Sequence, residues 1–362
     1  MGRRSAARDG AAGKMALQPA GSDVIRIGVD VGGTKIEAIA IDAGGQTLLR
    51  RRVSSPSSDY AAIVDAVRRL VEELERELGS DAQVGVGMPG AISAATGLVK
   101  NANSTELNGR PFGADLARTL RREVRVENDA NCFALSEAID GAGAGHALVF
   151  GVILGTGVGG GLVLDGRLWV GANAIAGEWG HNELPSRTES GLPDTPCWCG
   201  RRRCIETYLS GPGLARDHAR SAAAACDAID AHEVLDAHAI TALDRADDAQ
   251  PRPDLPEMLD AHRIAALAAA GDAQAQATLA RYCNRLASAL ATVVNVVDPN
   301  IVVLGGGLSN IDALYPRVAA LLPRHVFSDR CTTPVVKNRH GDSSGVRGAA
   351  WLWPAHGATP AA

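Results

Sequence analysis

The chain has 362 residues, a length typical of about two domains. Its 36 basic and 41 acidic side chains give a net charge of −5, which is the wrong sign for a protein that binds nucleic acid. Hydrophobic residues make up 46% of the chain, enough for a large core, yet no uninterrupted apolar run reaches the ~18 residues of a membrane span. Seven cysteines, an odd number, disfavour a secreted disulfide scaffold, so we expect a cytoplasmic protein.

The first part of the chain predicts strands followed by alternating helices and strands. Alternating apolar residues predict strands, separated by glycine-containing turns, over residues 24–31, 36–41 and 47–53. Apolar residues at helical spacing from Ile63 to Leu78, followed by Gly79, predict a long helix. The same criteria predict two more strands and two more helices over residues 84–88, 124–127, 112–122 and 130–139.

The second half of the chain repeats this order. An apolar strand over residues 148–154 precedes a hairpin over residues 161–170 with Asp165 and Gly166 at its turn. A long helix from Leu279 onward ends before Pro299. The remaining predicted elements are strands over residues 301–304 and 333–337 and helices over residues 311–322 and 346–353. Because the two halves repeat one pattern, we expect an α/β fold of two similar domains with a cleft between them.

These elements predict the organisation of the chain. We place the first domain at residues 24–141 and the second at residues 142–343, with a final helix over residues 344–354 that returns to the first domain. Residues 1–23 carry several arginines and no apolar stretch, which predicts a disordered tail. Residues 222–259, rich in alanine, aspartate and histidine, predict a partly helical insertion.

A glycine turn after the first strand is a candidate phosphate cradle. Its sequence, Asp-Val-Gly-Gly-Thr-Lys, combines the bare backbone of Gly32 and Gly33 with the hydroxyl of Thr34 and the charge of Lys35. Asp30 has the chemistry to hold Mg²⁺, directly or through water. The turn is not a Walker loop, because the threonine precedes the lysine and a strand follows. An ordinary glycine hairpin is the alternative.

Two further glycine turns also end predicted strands. Residues 155–160 match the dinucleotide fingerprint, but that fingerprint needs a helix to start within it, and here a hairpin follows. We interpret this turn as a second phosphate-binding hairpin, with Thr156 and Gly157 as contacts. Gly305 and Gly306 end a buried strand ahead of a helix, where bare backbone leaves room for the sugar or base of a nucleotide. The three turns together favour nucleotide binding in the cleft.

A cluster of thiols predicts a structural zinc loop over residues 181–204. Cys197, Cys199 and Cys204 lie within eight residues, and His181 precedes Cys197 by sixteen. Cys₃His is a closed zinc set that leaves no open coordination position, so the metal would be structural. A disulfide between neighbouring cysteines is the alternative, which suits a cytosolic enzyme poorly.

The segment Glu-Asn-Asp-Ala-Asn at residues 127–131 contains a candidate general base. Helix capping accounts for Asn128 or Asp129. A functional role instead needs a carboxylate in the cleft that accepts a proton from a hydroxyl as it attacks a γ-phosphate. Sugar hydroxyls both donate and accept, so a sugar site needs carboxylates, amides and imidazole. The candidates for such a site are Gly90, which offers bare backbone, and the side chains of Asn103, Asn128, Glu178, His181 and Glu206.

Together these motifs resemble those of the sugar kinases of the ROK family. The family is named for its repressors, open reading frames and kinases. The resemblance runs from about Ile25 to Trp353. The motifs that carry it lie at residues 30–35, 127–131, 155–159, 177–181, 197–206 and 303–307. Within the family, residues 101–111 and 340–353 most resemble the bacterial fructokinases, which also accept mannose.

The resemblance implies an actin/hexokinase-like fold of two RNase H-like domains and a homodimer. It implies transfer of the γ-phosphate of ATP, with Mg²⁺, to the 6-hydroxyl of D-fructose, with mannose as a second acceptor. Glucose or an N-acetylhexosamine is the alternative acceptor. Asp129 would be the general base, and His181 would bind both zinc and the sugar. The residues that would touch ATP are Gly33, Thr34, Thr156, Gly157 and Gly306.

Three rival functions fit the sequence less well. A repressor of this family carries a DNA-binding module of several dozen residues, whereas about two dozen polar residues precede the first predicted strand. A dehydrogenase rests on residues 155–160 alone. A non-catalytic sugar-binding regulator has no need for both a candidate base and three phosphate turns. The insertion over residues 222–259 and the arginines at 201–203 depart from the family pattern.

Overall fold

A computed structural model describes residues 24–56, 59–185, 192–229 and 259–354. The predicted tail over residues 1–23 and residues 230–258 of the predicted insertion lie outside the described residues. Two five-stranded sheets and nine helices make up the main elements of the described chain.

The first sheet combines an antiparallel meander with two parallel strands. Its strands are β1 (Arg26–Val31), β2 (Lys35–Ile41), β3 (Thr47–Ser54), β4 (Gln83–Met88) and β7 (Val124–Asn128). Their order across the sheet is β3-β2-β1-β4-β7, in which β4 and β7 run parallel to β1. A two-stranded ribbon follows β4 in the chain, formed by β5 (Ala91–Ile92) and β6 (Val99–Lys100).

The second sheet repeats the topology of the first. Its strands are β8 (Leu148–Leu154), β9 (Val158–Leu164), β10 (Arg167–Leu168), β11 (Ile301–Gly305) and β12 (Val335–Lys337). Their order is β10-β9-β8-β11-β12, again with two antiparallel pairs followed by parallel strands. The glycine turns between β1 and β2 and between β8 and β9 therefore occupy equivalent positions, as the repeated sequence pattern predicts.

Nine helices accompany the sheets in the described chain, and some of them have side-chain caps. Their bounds are α1 (Tyr60–Leu78), α2 (Phe112–Leu120), α3 (Asp129–Ile139), α4 (Glu206–Leu209), α5 (Gly211–Ile229), α6 (Ala261–Ala269), α7 (Ala273–Val297), α8 (Leu314–Leu321) and α9 (Ser344–Trp351). The side chain of Asp59 accepts from the Ala62 N–H at the start of α1, and Gly79 ends that helix with a left-handed φ of 71°. Asp272 caps α7 in the same way.

Helix α3 lies between the two sheets, and α9 crosses it. Phe133 and Leu135 of α3 share one apolar cluster with Ile39 of the first sheet and Val303 of the second. Gly348 of α9 lies so close to α3 that a Cβ there would overlap the Cys132 carbonyl. Helix α9 also contacts β1 and β4, so the last described helix packs on the first sheet.

The bounds of several predicted elements differ from the structure; the strand predicted from residue 333, for example, begins at Val335. The helix predicted from residue 311 begins at Leu314, because residues 307–310 form a separate 3₁₀ turn. The hairpin strand predicted to reach residue 170 ends at Leu168. Among the described residues, no helix is both long and apolar enough to cross a bilayer.

Candidate active site

Two cavities adjoin each other where strands β4 and β7 of the first sheet end. We call them cavity A, of about 260 Å³, and cavity B, of about 290 Å³. Pro89, Asn103, Asp129 and Ile153 line both cavities. A single carboxylate therefore faces two adjoining spaces, which is the arrangement needed to act on a group that passes from one ligand to another.

The start of α3 places this carboxylate. Asn128 is the N-cap: its side-chain oxygen accepts from the backbone N–H groups of Ala130 and Asn131 at 2.9 and 3.1 Å. Its amide nitrogen donates to the Gly90 carbonyl at 2.9 Å, which ties the helix to the loop after β4. Asp129, the first helical residue, accepts from the Ala130 N–H at 2.8 Å through Oδ1. Capping thus belongs to Asn128, and the Asp129 carboxylate lines the cavities.

Burial and neighbouring charges raise the pKa values of three acidic side chains in the site. Burial raises the pKa of Asp129 to about 6, and the charge of Glu178 adds to this shift. Burial, followed by the charges of Asp129 and Glu37, raises the pKa of Asp30 to about 7. Burial also raises the pKa of Glu178. Asp129 is therefore mostly ionised at neutral pH and sits close to the range in which a general base works best.

Cavity A gathers the residues that the sequence predicts for a sugar. They are Gly90, Asn103, Asn128, Glu178, His181 and Glu206. Two donors fix Glu206: the Val158 N–H donates to Oε2 at 2.9 Å, and the Trp198 indole N–H donates to Oε1 at 2.7 Å. Cavity A therefore presents carboxylates, amides and an imidazole to a ligand with many hydroxyl groups.

Cavity B gathers most of the residues predicted for a nucleotide. Those that line it are Asp30, Gly32, Gly33, Lys35 and Gly306. Gly306 needs to be glycine, because its φ is 79° and a Cβ would overlap the Leu154 carbonyl. Thr34 is exposed at the tip of its hairpin and does not line cavity B.

Three further residues predicted for the nucleotide site also do not line cavity B. Gly305 is buried, and the Phe133 ring lies where its Cβ would be. Thr156 and Gly157 line cavity A, on the other side of Asp129 from Asp30. The second glycine hairpin therefore borders the space that holds Glu206 rather than cavity B.

The predicted metal ligands lie together. The ligand atoms of His181, Cys197, Cys199 and Cys204 are within 4.8 Å of one another. The Cys199 and Cys204 sulfurs are 3.7 Å apart, and the Cys197 sulfur is 3.6 Å from Nδ1 of His181. Ligands of a tetrahedral zinc with Zn–S of about 2.3 Å and Zn–N of about 2.0–2.1 Å would be about 3.8 Å and about 3.6 Å apart. The donor set and its spacing fit that metal.

Sequence analysis missed several residues of the site. Trp198, between two of the clustered cysteines, lines cavity A and packs edge-on against His181 with ring centroids 5.1 Å apart. An aromatic residue inside a metal-binding motif was the signal available. Asp342 and Gly345 line cavity B at the start of α9. The sequence predicts a helix there, but not that the helix start reaches the cleft.

Comparisons with known proteins agree with this fold and site. The ROK family model matches residues 26–356. An N-acetyl-D-glucosamine kinase of Escherichia coli O6:H1 is 41% identical over 329 residues, which cover 90% of this chain and 98% of that protein. A ROK hexokinase from Thermus thermophilus superposes with a TM-score of 0.72 at 28% identity, covering 90% of this chain and 97% of that one.

A further solved structure has both ligand types bound. The ROK family glucokinase of Streptomyces griseus, in complex with glucose and AMPPNP, superposes with a TM-score of 0.69 at 27% identity, covering 91% of this chain and 98% of that one. The fold and the paired cavities define a sugar kinase, which transfers phosphate from ATP. The chain belongs to the ROK family.

Proposed function

We propose that this protein transfers the γ-phosphate of ATP to the 6-hydroxyl of N-acetyl-D-glucosamine. Relatives named N-acetyl-D-glucosamine kinase are 40–41% identical to this chain, and the match covers 98% of their length. Sequence analysis favoured fructose, with glucose or an N-acetylhexosamine as the alternative acceptor; the names of these relatives support the N-acetylhexosamine. The position of Asp129 in the wall of both cavities is the structural observation that carries the proposal.

Asp129 acts as the general base. A hydroxyl in cavity A and a γ-phosphate in cavity B would meet beside its carboxylate. As the hydroxyl oxygen attacks the phosphorus, its proton passes to Asp129 and ADP leaves. Because the pKa of Asp129 is about 6, the carboxylate is ionised at neutral pH and can accept this proton.

The first glycine hairpin and Gly306 hold the nucleotide. Gly32 and Gly33 line cavity B without side chains, which allows a phosphate to approach the backbone closely, and Lys35 adds a positive charge on the same wall. Asp30 lies on that wall as well and has the oxygen ligands that Mg²⁺ prefers. When bound, Mg²⁺ neutralises charge on the phosphates.

A structural zinc links the loop over residues 181–204 to the sugar site. Three thiolates and the Nδ1 of His181 fit a closed tetrahedral set. Ligation through Nδ1 leaves Nε2 of the same ring for a sugar hydroxyl in cavity A. Glu206 follows Cys204 by two residues, so the metal also fixes the start of α4, which carries that carboxylate.

A coupled assay of ADP release tests the acceptor. Purified protein is given ATP, Mg²⁺ and, in turn, N-acetyl-D-glucosamine, glucose, fructose and mannose. We expect the highest kcat/KM with N-acetyl-D-glucosamine. A higher kcat/KM with fructose would instead support the fructokinase expected from the sequence. No sugar-dependent ADP release would contradict the kinase assignment. A cytoplasmic location and a homodimer stay predictions.

A further inference from the structure

A third cavity adjoins cavity A on the side away from cavity B. We call it the outer chamber; its volume is about 790 Å³. Asn101, Glu178, His181 and Trp198 line both it and cavity A, so the two spaces share part of their walls. Neither Asp129 nor any residue of the glycine turns at 30–35 and 155–160 lines the chamber. Its volume lies within the range of about 300–1,000 Å³ that is typical of sites for drug-sized ligands.

The far wall of the outer chamber is mostly apolar. Ile175 lies on one side, and Val293, Val296 and Val297 line it from the last turns of α7. Val296 is 82% exposed, so this part of the wall is in contact with solvent. Arg201 adds a charged group at the rim. An apolar wall of this size next to a sugar site is not needed to bind the hydroxyl groups of a simple hexose.

The geometry of a pyranose indicates which substituent points to the outer chamber. If the 6-hydroxyl lies at Asp129, then C5, which carries C6, is the ring atom nearest that carboxylate. C2 is the ring atom directly across from C5. A substituent on C2 therefore points away from Asp129, toward the residues shared with the outer chamber, such as Glu178, His181 and Trp198.

We propose that the outer chamber is an acyl subsite: it receives the N-acyl group of a 2-acylamino-2-deoxyhexose and accepts acyl chains longer than acetyl. The inference rests on the proposed function, because it requires a 2-acylamino sugar with its 6-hydroxyl at Asp129. The polar sugar stays in cavity A, and the methylene groups of the chain contact Ile175 and the valines of α7. Burying a methylene group favours binding by up to about fourfold.

An acyl series tests the subsite in the wild-type enzyme. N-acetyl-, N-propanoyl-, N-butanoyl- and N-hexanoyl-D-glucosamine are compared by kcat and KM for ADP release at saturating ATP. We expect kcat to change little and KM to hold or fall with chain length, by up to about fourfold per methylene. A kcat/KM that falls by more than about 100-fold from acetyl to propanoyl would overturn the inference, since a chain that meets a closed wall is rejected.

Filling the chamber provides the second arm. Val293 is half-buried on α7, and Val293→Phe places an aromatic ring in the chamber. The variant should raise the KM of the hexanoyl sugar by about tenfold or more and leave that of N-acetyl-D-glucosamine within about twofold. Val297→Phe, at another point of the same wall, serves if the first variant does not fold. An equal KM increase for both sugars would show that the helix supports cavity A rather than an acyl subsite.

A matched substitution controls for the change itself. Val64 is half-buried on α1 and lines none of the three cavities, so Val64→Phe should leave the ratio of the two KM values unchanged. The arms also separate this inference from the proposed function. Turnover of N-acetyl-D-glucosamine without turnover of its longer homologues overturns the subsite alone. Turnover of other hexoses but of no 2-acylamino sugar overturns both.

Discussion

Asp129 shows how one position in a helix can decide the chemistry of a site. The residue before it, Asn128, satisfies the first N–H groups of α3, so the aspartate is free of the usual capping role. Burial then raises the pKa of Asp129 to about 6. The sequence left capping open for either residue, because both side chains suit an N-cap and only the backbone geometry distinguishes them.

We expect Asp129→Asn to lower kcat by about 10²–10⁴-fold, the usual contribution of a general base. The amide cannot accept the proton of the attacking hydroxyl, but it keeps the size of the side chain. Sugar affinity should stay measurable by calorimetry. Asp165→Asn, at the exposed turn between β9 and β10, is the matched control and should retain full turnover. Near-normal turnover of Asp129→Asn would remove this residue from the mechanism.

The raised pKa of Asp129 also predicts how the stability of Asp129→Asn compares with that of the wild type as pH changes. The folded-state pKa of Asp129 lies above its unfolded value, so the wild type loses stability as pH rises through about 6. The neutral amide has no such loss. Thermal unfolding should therefore show Asp129→Asn to be more stable than the wild type at pH 8, with the difference falling between about pH 6 and pH 4 and vanishing below that range. A variant that is less stable than the wild type at pH 8 would contradict the burial of this charge.

At the scale of elements, the sequence predicts local structure well and the direction of turns poorly. Strands such as β1 and β8 were predicted from alternating or continuous apolar residues, and Gly79 was predicted to end α1. By contrast, the sequence treated the two glycine hairpins alike, and the second borders cavity A. A hairpin tip takes its orientation from the packing of its whole sheet, which no local pattern encodes.

The loop over residues 181–204 is the element with the sharpest test. We expect Cys199→Ser to lose zinc and to raise the sugar KM by about tenfold or more, since even outer-shell partners are worth about 10–100-fold at metal sites. The KM for ATP should change much less, because cavity B contains no residue of this loop. Metal analysis and steady-state kinetics measure both effects.

Cys331 provides the matched control for that loop. It is half-buried and lies outside the cluster of ligands, so Cys331→Ser should keep both zinc and activity. Wild-type protein that is fully active and contains no zinc would rule out the metal. Cys199→Ser protein with a normal sugar KM would rule out the link between the loop and the sugar site.

At the scale of the whole molecule, two sheets of one topology are held together by the crossing of α3 and α9. Residues 39, 133, 303 and 350, from both sheets and both helices, lie in a single apolar cluster. The crossing needs a residue without a side chain at position 348, since a Cβ there would overlap the Cys132 carbonyl. Sequence analysis expected the final helix to return to the first domain, but not this contact.

We therefore expect Gly348→Ala to destabilise the protein by about 1–3 kcal/mol, the usual cost of forcing extra atoms into a packed core. Gly113→Ala is the matched control: this glycine is also helical, and its Cβ would only touch Val126 at ordinary contact distance. That variant should be neutral or more stable by up to about 1 kcal/mol, because alanine favours helix. Urea unfolding measures both, and equal stabilities would contradict the tight crossing.

The path of the chain also bears on its synthesis. Helix α9 covers β1 and β4 in the first sheet, yet it is translated after every strand of the second. While a ribosome is still making the second sheet, the face of the first sheet around Gly28 and Gly85 has no partner helix. The first domain is therefore synthesised first but completed last. In a nascent chain arrested before residue 344, we expect this domain to be sensitive to proteases.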